Sequence, residues 1–488
     1  MTIRRPVLPD HEYDAVVVGS GPNGLAAAIT IAREKLSVLL LESEETIGGG
    51  IRTKELTLPG FRHDVCAAIH PLALASPFFR SLELTRFGVE WIHPPVPLAH
   101  PLDNDMAVLM ERSLEDTARG LGRDRESYHR LLEPFVERWE KLVGDLLKPL
   151  GLPEHPFSAL RFSLKGFMSA RSLADQWFKD ARARALFAGN SCHSILPLEA
   201  MSSGAFGIML TMVGHAVGWP VAKGGSQTLA EALASCFLLL GGKITVNAPV
   251  SSIKDLPSAR VVLFDVSPRN LDRIVGDRFP GSYRKHLQGH RHGPGAFKVD
   301  WALDGPIPWK DKECLQAGTL HCGGTFEEIA ASERQVWQGI APERPFVLLS
   351  QPSLFDPTRA PGGMHTAWAY CHVPNGCDVD MTNAIEEQVE RFAPGFRNLI
   401  KAKHIMSPAR MEEYNPNYVG GDIVGGIQSF RELFIRPLGR WQAYSTPVKG
   451  FYMCSASMPP GGGVHGMCGH LAAKKALREV LSSSIKPT

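Results

Sequence analysis

The chain has 488 residues, 44% of them hydrophobic and 21% charged, with 47 glycines and 37 prolines, a globular composition that excludes disordered, collagen-like and coiled-coil chains. A length beyond the roughly 250–300 residues one core sustains predicts two domains. Against 50 Asp and Glu, 52 Lys and Arg leave a net +2, which gives no electrostatic footprint for a nucleic-acid partner.

The nine cysteines are scattered and form no C-x-x-C pair. That points to reduced thiols in a cytoplasmic protein and away from a two-cysteine disulfide reductase. Met1 to Pro6 is basic but runs into Asp10, His11 and Glu12 without the apolar core of a signal peptide.

The first predicted strand, Tyr13 to Val18, enters a G-x-G-x-x-G turn at Gly19, Gly21 and Gly24, with Pro22 and Asn23 between. Leu25, Ala28, Ile29 and Ala32 then recur at helical spacing. A second strand, Ser37 to Leu41, ends on Glu42, 18 residues past Gly24, near the separation at which a carboxylate meets ribose hydroxyls. Gly19 permits the tight turn, Gly21 lets backbone approach a pyrophosphate, and Gly24 lets helix pack on strand. The helix start offers N–H groups and partial positive charge to phosphate. Strand, turn, helix and acid together predict dinucleotide binding. A second glycine cluster, Gly48, Gly49 and Gly50, leads to Arg52 and Thr53 and extends this surface; Arg52 is the candidate to neutralise pyrophosphate.

Residues from about 90 to 220 read as helices, with Asp124 to Leu147 and Leu173 to Phe187 as two of them. Ser202 to Ala222 lacks charge, but its glycines make it a buried helix rather than a membrane span. Pro220 to Leu229 and Gly241 to Val250 lead to a short connection, Lys254 to Arg260, and a strand at Val261 to Val266. His286, His290 and His292 sit among Arg284, Lys285 and Arg291 with no adjacent acid, which reads as a solvated loop and not a metal site. Residues 294–372 read as strands. Phe297, Val299, Trp301 and Leu303 share one face, with Lys298 and Asp300 on the other; Thr366, Trp368, Tyr370 and His372 share a face of the next strong strand. Near the C-terminus, a strand-like run from Gly450 to Ser457 is followed by the glycine-rich Pro459 to Gly469 and a helix through Ala472, Ala473 and Ala476.

The Gly19–Gly24 turn, the Gly48–Thr53 cluster, the Pro220–Val250 region and the Pro459–Gly469 segment together resemble the phytoene-desaturase group of FAD oxidoreductases, relatives of the amine oxidases. The resemblance implies an α/β fold: a Rossmann-like, amine-oxidase-like FAD-binding domain (residues 10–90, 221–290 and 423–488) and a discontinuous α+β substrate domain (91–220 and 291–422). It implies FAD as cofactor, backbone near Val250 beside the adenine, and Gly463, His465, Gly466 and Met467 near the isoalloxazine. His465, His70 and Tyr370 are the candidate catalytic residues, with His372 beside Tyr370. The short Lys254–Arg260 connection departs from the longer meander of the family and marks a divergent branch.

The implied activity is desaturation of an apolar, carotenoid- or terpenoid-like small molecule by hydride transfer to flavin. With no second dinucleotide fingerprint, oxygen or a quinone is the expected reoxidant. The alternatives are polyene cis–trans isomerisation, a flavin-binding scaffold without turnover, and amine oxidation, which needs a flavin-proximal lysine and an aromatic cage that the sequence does not place. Leu72 to Phe79 is the candidate entrance lip for peripheral membrane contact.

Overall fold

The computed structural model describes residues 12–103, 106–149, 151–429, 432 and 443–482; the basic start at Met1–Pro6 lies outside them. Five parallel strands form one sheet in the order Phe451–Met453, Ala259–Phe264, Tyr13–Val18, Val38–Leu41 and Lys243–Thr245. Ala15 to Val18 and Val38 to Leu41 are buried without alternation, as a parallel sheet covered on both faces requires. Helix Pro22–Ala32 packs on the C-terminal helix Met467–Ala476. Their approach is so close that a Cβ on Gly469 would fall on the Asn23 carbonyl oxygen.

A second, mixed sheet runs Ile400–Met406, Gly295–Leu303, His365–Val373, Val347–Ser350, Ala317–Cys322, Val96–His100 and Val108–Met110. One face carries Phe297, Val299, Trp301, Ala367, Ala369 and Val373 into an apolar core with Ile385, Val389 and Phe392 of helix Thr382–Phe392. The alternation predicted for both strong strands therefore holds, and the α/β architecture is the expected one. Unlike the usual solvated side of such a sheet, the opposite face is also buried; Lys298 is 2% exposed and Asp300 0%.

Three expectations need correction. Leu173 to Phe187 is not one helix but parts of two, Ala170–Trp177 and Ala181–Cys192. Phe178 is extended between them, and the Asp124 carboxylate accepts the Lys179 and Asp180 N–H groups. Asp124 to Leu147 likewise divides into Arg125–Val136 and Trp139–Leu146, with Arg138 outside helical geometry. The strand-rich region 294–372 also contains helix Phe326–Trp337, started by a Thr325–Glu328 capping box. The uncharged stretch after Ser202 forms the largely buried helix Ser203–Val217. No helix among the described residues is long and apolar enough to cross a membrane.

Candidate functional site

A cavity of about 570 Å³ runs from the first glycine turn to the buried polar face of the second sheet. At its first end, Gly19 holds φ at +99°, and a Cβ on Gly24 would land on the Gly19 carbonyl oxygen. A Cβ on Gly21 would lie 2.9 Å from Asp265 Oδ2, and one on Gly49 3.1 Å from Gly21 Cα. The turn is thus bare backbone because nothing larger fits. Glu42 accepts the Ser20 N–H at 3.0 Å and the Ser20 hydroxyl, and its other oxygen accepts the Glu44 N–H at 3.0 Å.

Arg52 also ends on Glu42, at 3.1 Å, while its Nε donates to the Thr46 carbonyl at 2.9 Å. Rather than standing unpaired toward phosphate, it fastens the second glycine cluster to the acid that follows the second strand. Asp265, which sequence reasoning passed over, follows the strand Ala259–Phe264 and accepts the Gly24 N–H at 2.9 Å. Burial pushes its carboxyl up to about 7, with Glu42 adding to the rise and the Gly24 N–H opposing it.

The residues present fit a dinucleotide. The turn excludes side chains at Gly19, Gly21 and Gly24, and the Asn23 side-chain oxygen and the Ser455 hydroxyl are buried without a partner among the described residues while their residues line the cavity. Gly49, Gly50, Val250, Gly463 and Val464 share that wall.

Beyond it, cross-strand register sets two rows on the sheet face: His321, Leu348, Tyr370 and Lys298, then Thr319, Ser350, Trp368 and Asp300. The Lys298 ammonium donates to Asp300 Oδ1 and lies 5.4 Å from the centre of the Trp368 ring. His63 Nδ1 and His404 Nδ1 each stand 3.6 Å from Asp300 oxygens. Burial alone would raise Asp300, but Lys298 and both histidines hold it below the ordinary carboxylate value. Trp368 and Tyr370 stack with centroids 6.0 Å apart at 17°. A buried lysine beside an aromatic pair is thus what the sequence could not place; its signal was a K-x-D pair in an otherwise apolar strand.

Of the candidate catalytic residues, His70 and Tyr370 line the cavity. His70 Nε2 lies 2.8 Å from Ser226 Oγ, whose own proton goes to the Ala67 carbonyl, so Nε2 donates and Nδ1 is a bare acceptor with no partner among the described residues. Burial lowers His70 to about 4 and raises the Tyr370 hydroxyl. His372 sits behind, bound to Glu333 at 2.9 Å.

His465 does not reach the cavity wall. Its Nδ1 accepts the Met467 N–H at 3.0 Å and its Nε2 meets the Gly461 carbonyl at 3.2 Å. The ring therefore clamps the turn before the last helix, with Gly466 and Met467 away from the wall. Thr53 is also structural, donating to Asp64 and accepting the Gln227 N–H.

The entrance lip is overturned, since Phe78 and Phe79 are each only 2% exposed. The histidine loop is not merely solvated either: His292 meets Asp422 at 3.2 Å and His290 meets the Gly425 carbonyl at 3.1 Å. These partners are remote in sequence, which hid them.

The family model for the NAD(P)-binding Rossmann-like domain matches residues 17–82. The chain is 25% identical over 553 aligned residues to pyridine nucleotide-disulfide oxidoreductase domain-containing protein 2 of Rattus norvegicus, covering 96% of this chain and 94% of the relative. It is 24% identical to the lycopene-forming phytoene desaturase of Paracoccus sp., covering 96% and 97%. Among solved structures, an oxidoreductase from Methanosarcina mazei superposes with a TM-score of 0.64 at 16% identity, covering 95% of this chain and 99% of that one. Putrescine oxidase bound to putrescine gives 0.61 at 16% identity, covering 97% and 99%. The resemblance to phytoene desaturases thus extends along nearly the whole chain, at a distance that fits a divergent branch, and the fold is amine-oxidase-like.

Proposed function

We propose that the protein is an FAD-dependent oxidoreductase that desaturates an apolar, carotenoid- or terpenoid-like small molecule. The observation that carries this reading is the single continuous cavity joining a bare glycine turn to a sheet face walled by Trp368, Tyr370 and Leu348. Bound FAD supplies the hydride acceptor, restored by oxygen or a quinone. Gly19, Gly21 and Asn23 would hold its pyrophosphate, Glu42 its ribose hydroxyls, and the backbone near Val250 its adenine. Gly49, Gly50 and Gly463 leave room along the wall. The apolar side chains exclude water and orient the substrate, while His70 Nδ1 is the unpartnered acceptor placed to receive a proton.

The test is an anaerobic spectrum of the purified, FAD-loaded protein. A flavin band that NADPH leaves oxidised and that a terpenoid substrate bleaches, with loss of two hydrogens from the product, supports the reading. Bleaching by NADPH, or a protein that cannot be loaded with FAD, overturns it. Product of unchanged mass makes it an isomerase. Amine oxidation is a second reading, favoured by Lys298 beside the Trp368–Tyr370 pair and tested by aldehyde release from an aliphatic amine.

A further inference from the structure

At the end of the sheet face away from Lys298, the cavity is lined by His193, Thr319, Trp219, Leu210 and Leu348. Strand spacing puts this end about 14 Å from Lys298, three strand steps away. Two polar atoms there have no partner among the described residues. Thr319 is fully buried and its hydroxyl has no partner among the described residues. His193 follows helix Ala181–Cys192 and bonds only through Nε2, which lies 3.1 Å from His321 Nε2; its Nδ1 has no partner among the described residues.

Two nitrogens facing each other admit one proton between them, so each ring's tautomer fixes the other's. His321 Nδ1 is buried, unpartnered and turned toward Gly189, where even a Cβ would collide with it. A proton at that Nδ1 would be an orphaned buried donor, costing about 1–3 kcal/mol; a lone pair against the glycine costs less. His321 therefore carries its proton on Nε2 and donates to His193, which must carry its own on Nδ1. Burial keeps both rings neutral, His193 being lowered to about 3 with His372 adding to the fall.

We propose that His193 and Thr319 form a seat for one neutral oxygen acceptor of the substrate, a carbonyl in the first instance, at the far end of an otherwise apolar body. His321 is a positioning residue that sets the His193 proton. This rests on the apolar-substrate reading and narrows it, since a pure hydrocarbon would bury both polar groups unsatisfied.

The test measures binding to the FAD-loaded protein by flavin spectral shift and tryptophan quenching, using farnesal and the matching hydrocarbon farnesene. Wild type is expected to bind farnesal about ten-fold tighter, the worth of one good hydrogen bond. His193→Phe should bring the two within about two-fold, His193→Asn should restore part of the preference, and His321→Phe should weaken it, all with normal flavin loading. Equal wild-type affinities, or a preference that survives His193→Phe, overturn the seat while leaving the apolar chamber standing. Binding of neither probe overturns both.

Discussion

Lys298 and Asp300 stand two residues apart on one strand and form a buried ion pair on the cavity face, with Lys298 2% and Asp300 0% exposed. A strand places i and i+2 on the same side, so the pair is local in sequence and deep in the structure. Breaking a buried pair leaves an uncompensated charge, so Lys298→Met is expected to destabilise by about 3–5 kcal/mol. Adding Asp300→Leu should recover most of that loss, as the remaining charge goes with it. Urea unfolding of both variants checks this, and losses that simply add would refute it.

Arg359 is the keystone under His70. It is fully buried, with Nη2 2.9 Å from Asp64 and Nε 2.9 Å from Asp356, and Asp64 also accepts the Thr53 hydroxyl and the Ser226 N–H. Against burial, which raises it, Arg359 holds Asp64 below its ordinary value. Arg359→Met strands two buried carboxylates and is expected to cost about 3–5 kcal/mol. Because Ser226 also orients His70, the variant should shift the flavin band as well as lower the thermal midpoint. An unchanged midpoint would show that the carboxylates find other partners.

What could be read in the sequence was what is periodic or turn-bound. Gly19, Gly21, Gly24 and Glu42 sit in one strand–turn–helix–strand unit, so their spacing encodes their geometry. The alternation at Phe297 to Leu303 gave the core face of the second sheet. The other face was placed but not its burial, because Lys298 and Asp300 suit a solvated side equally well until Trp368, His63 and His404 cover them. His465 misled through the glycines around it, which were compatible with a ring facing ligand and with one clamping backbone. Asp265, His193 and Thr319 lie in unrelated segments and come to line one cavity only through tertiary packing, so no local pattern marks them.

Gly21 tests the cradle. A Cβ there approaches Asp265 Oδ2 to 2.9 Å, and the Gly21 Cα is close enough to Gly49 that a Cβ on Gly49 would lie 3.1 Å from it. Gly21→Val should leave the far-ultraviolet circular dichroism intact but weaken FAD retention at least about ten-fold, the equivalent of about 1.4 kcal/mol. Retention at the wild-type level would mean the dinucleotide does not cross this turn.

If FAD binds as proposed, Asp265 is expected to make its retention depend on pH. Its carboxyl in the folded chain is raised from 3.8 to about 7. A raised group contributes stability that is fully present below the ordinary value and is lost as pH rises through the folded one. The window therefore runs from about pH 4 to about pH 7, with a ceiling of about 4 kcal/mol for a three-unit rise. Bound pyrophosphate would add negative charge beside the same carboxyl and favour its protonated form further. FAD is thus expected to dissociate about ten-fold more readily at pH 8.5 than at pH 6, one further unit of displacement. Asp265→Asn keeps an acceptor for the Gly24 N–H without the charge. It should flatten the FAD titration and raise the thermal midpoint of the cofactor-stripped protein at pH 8 but not at pH 4. A variant that retains the wild-type pH slope would place the titrating group elsewhere.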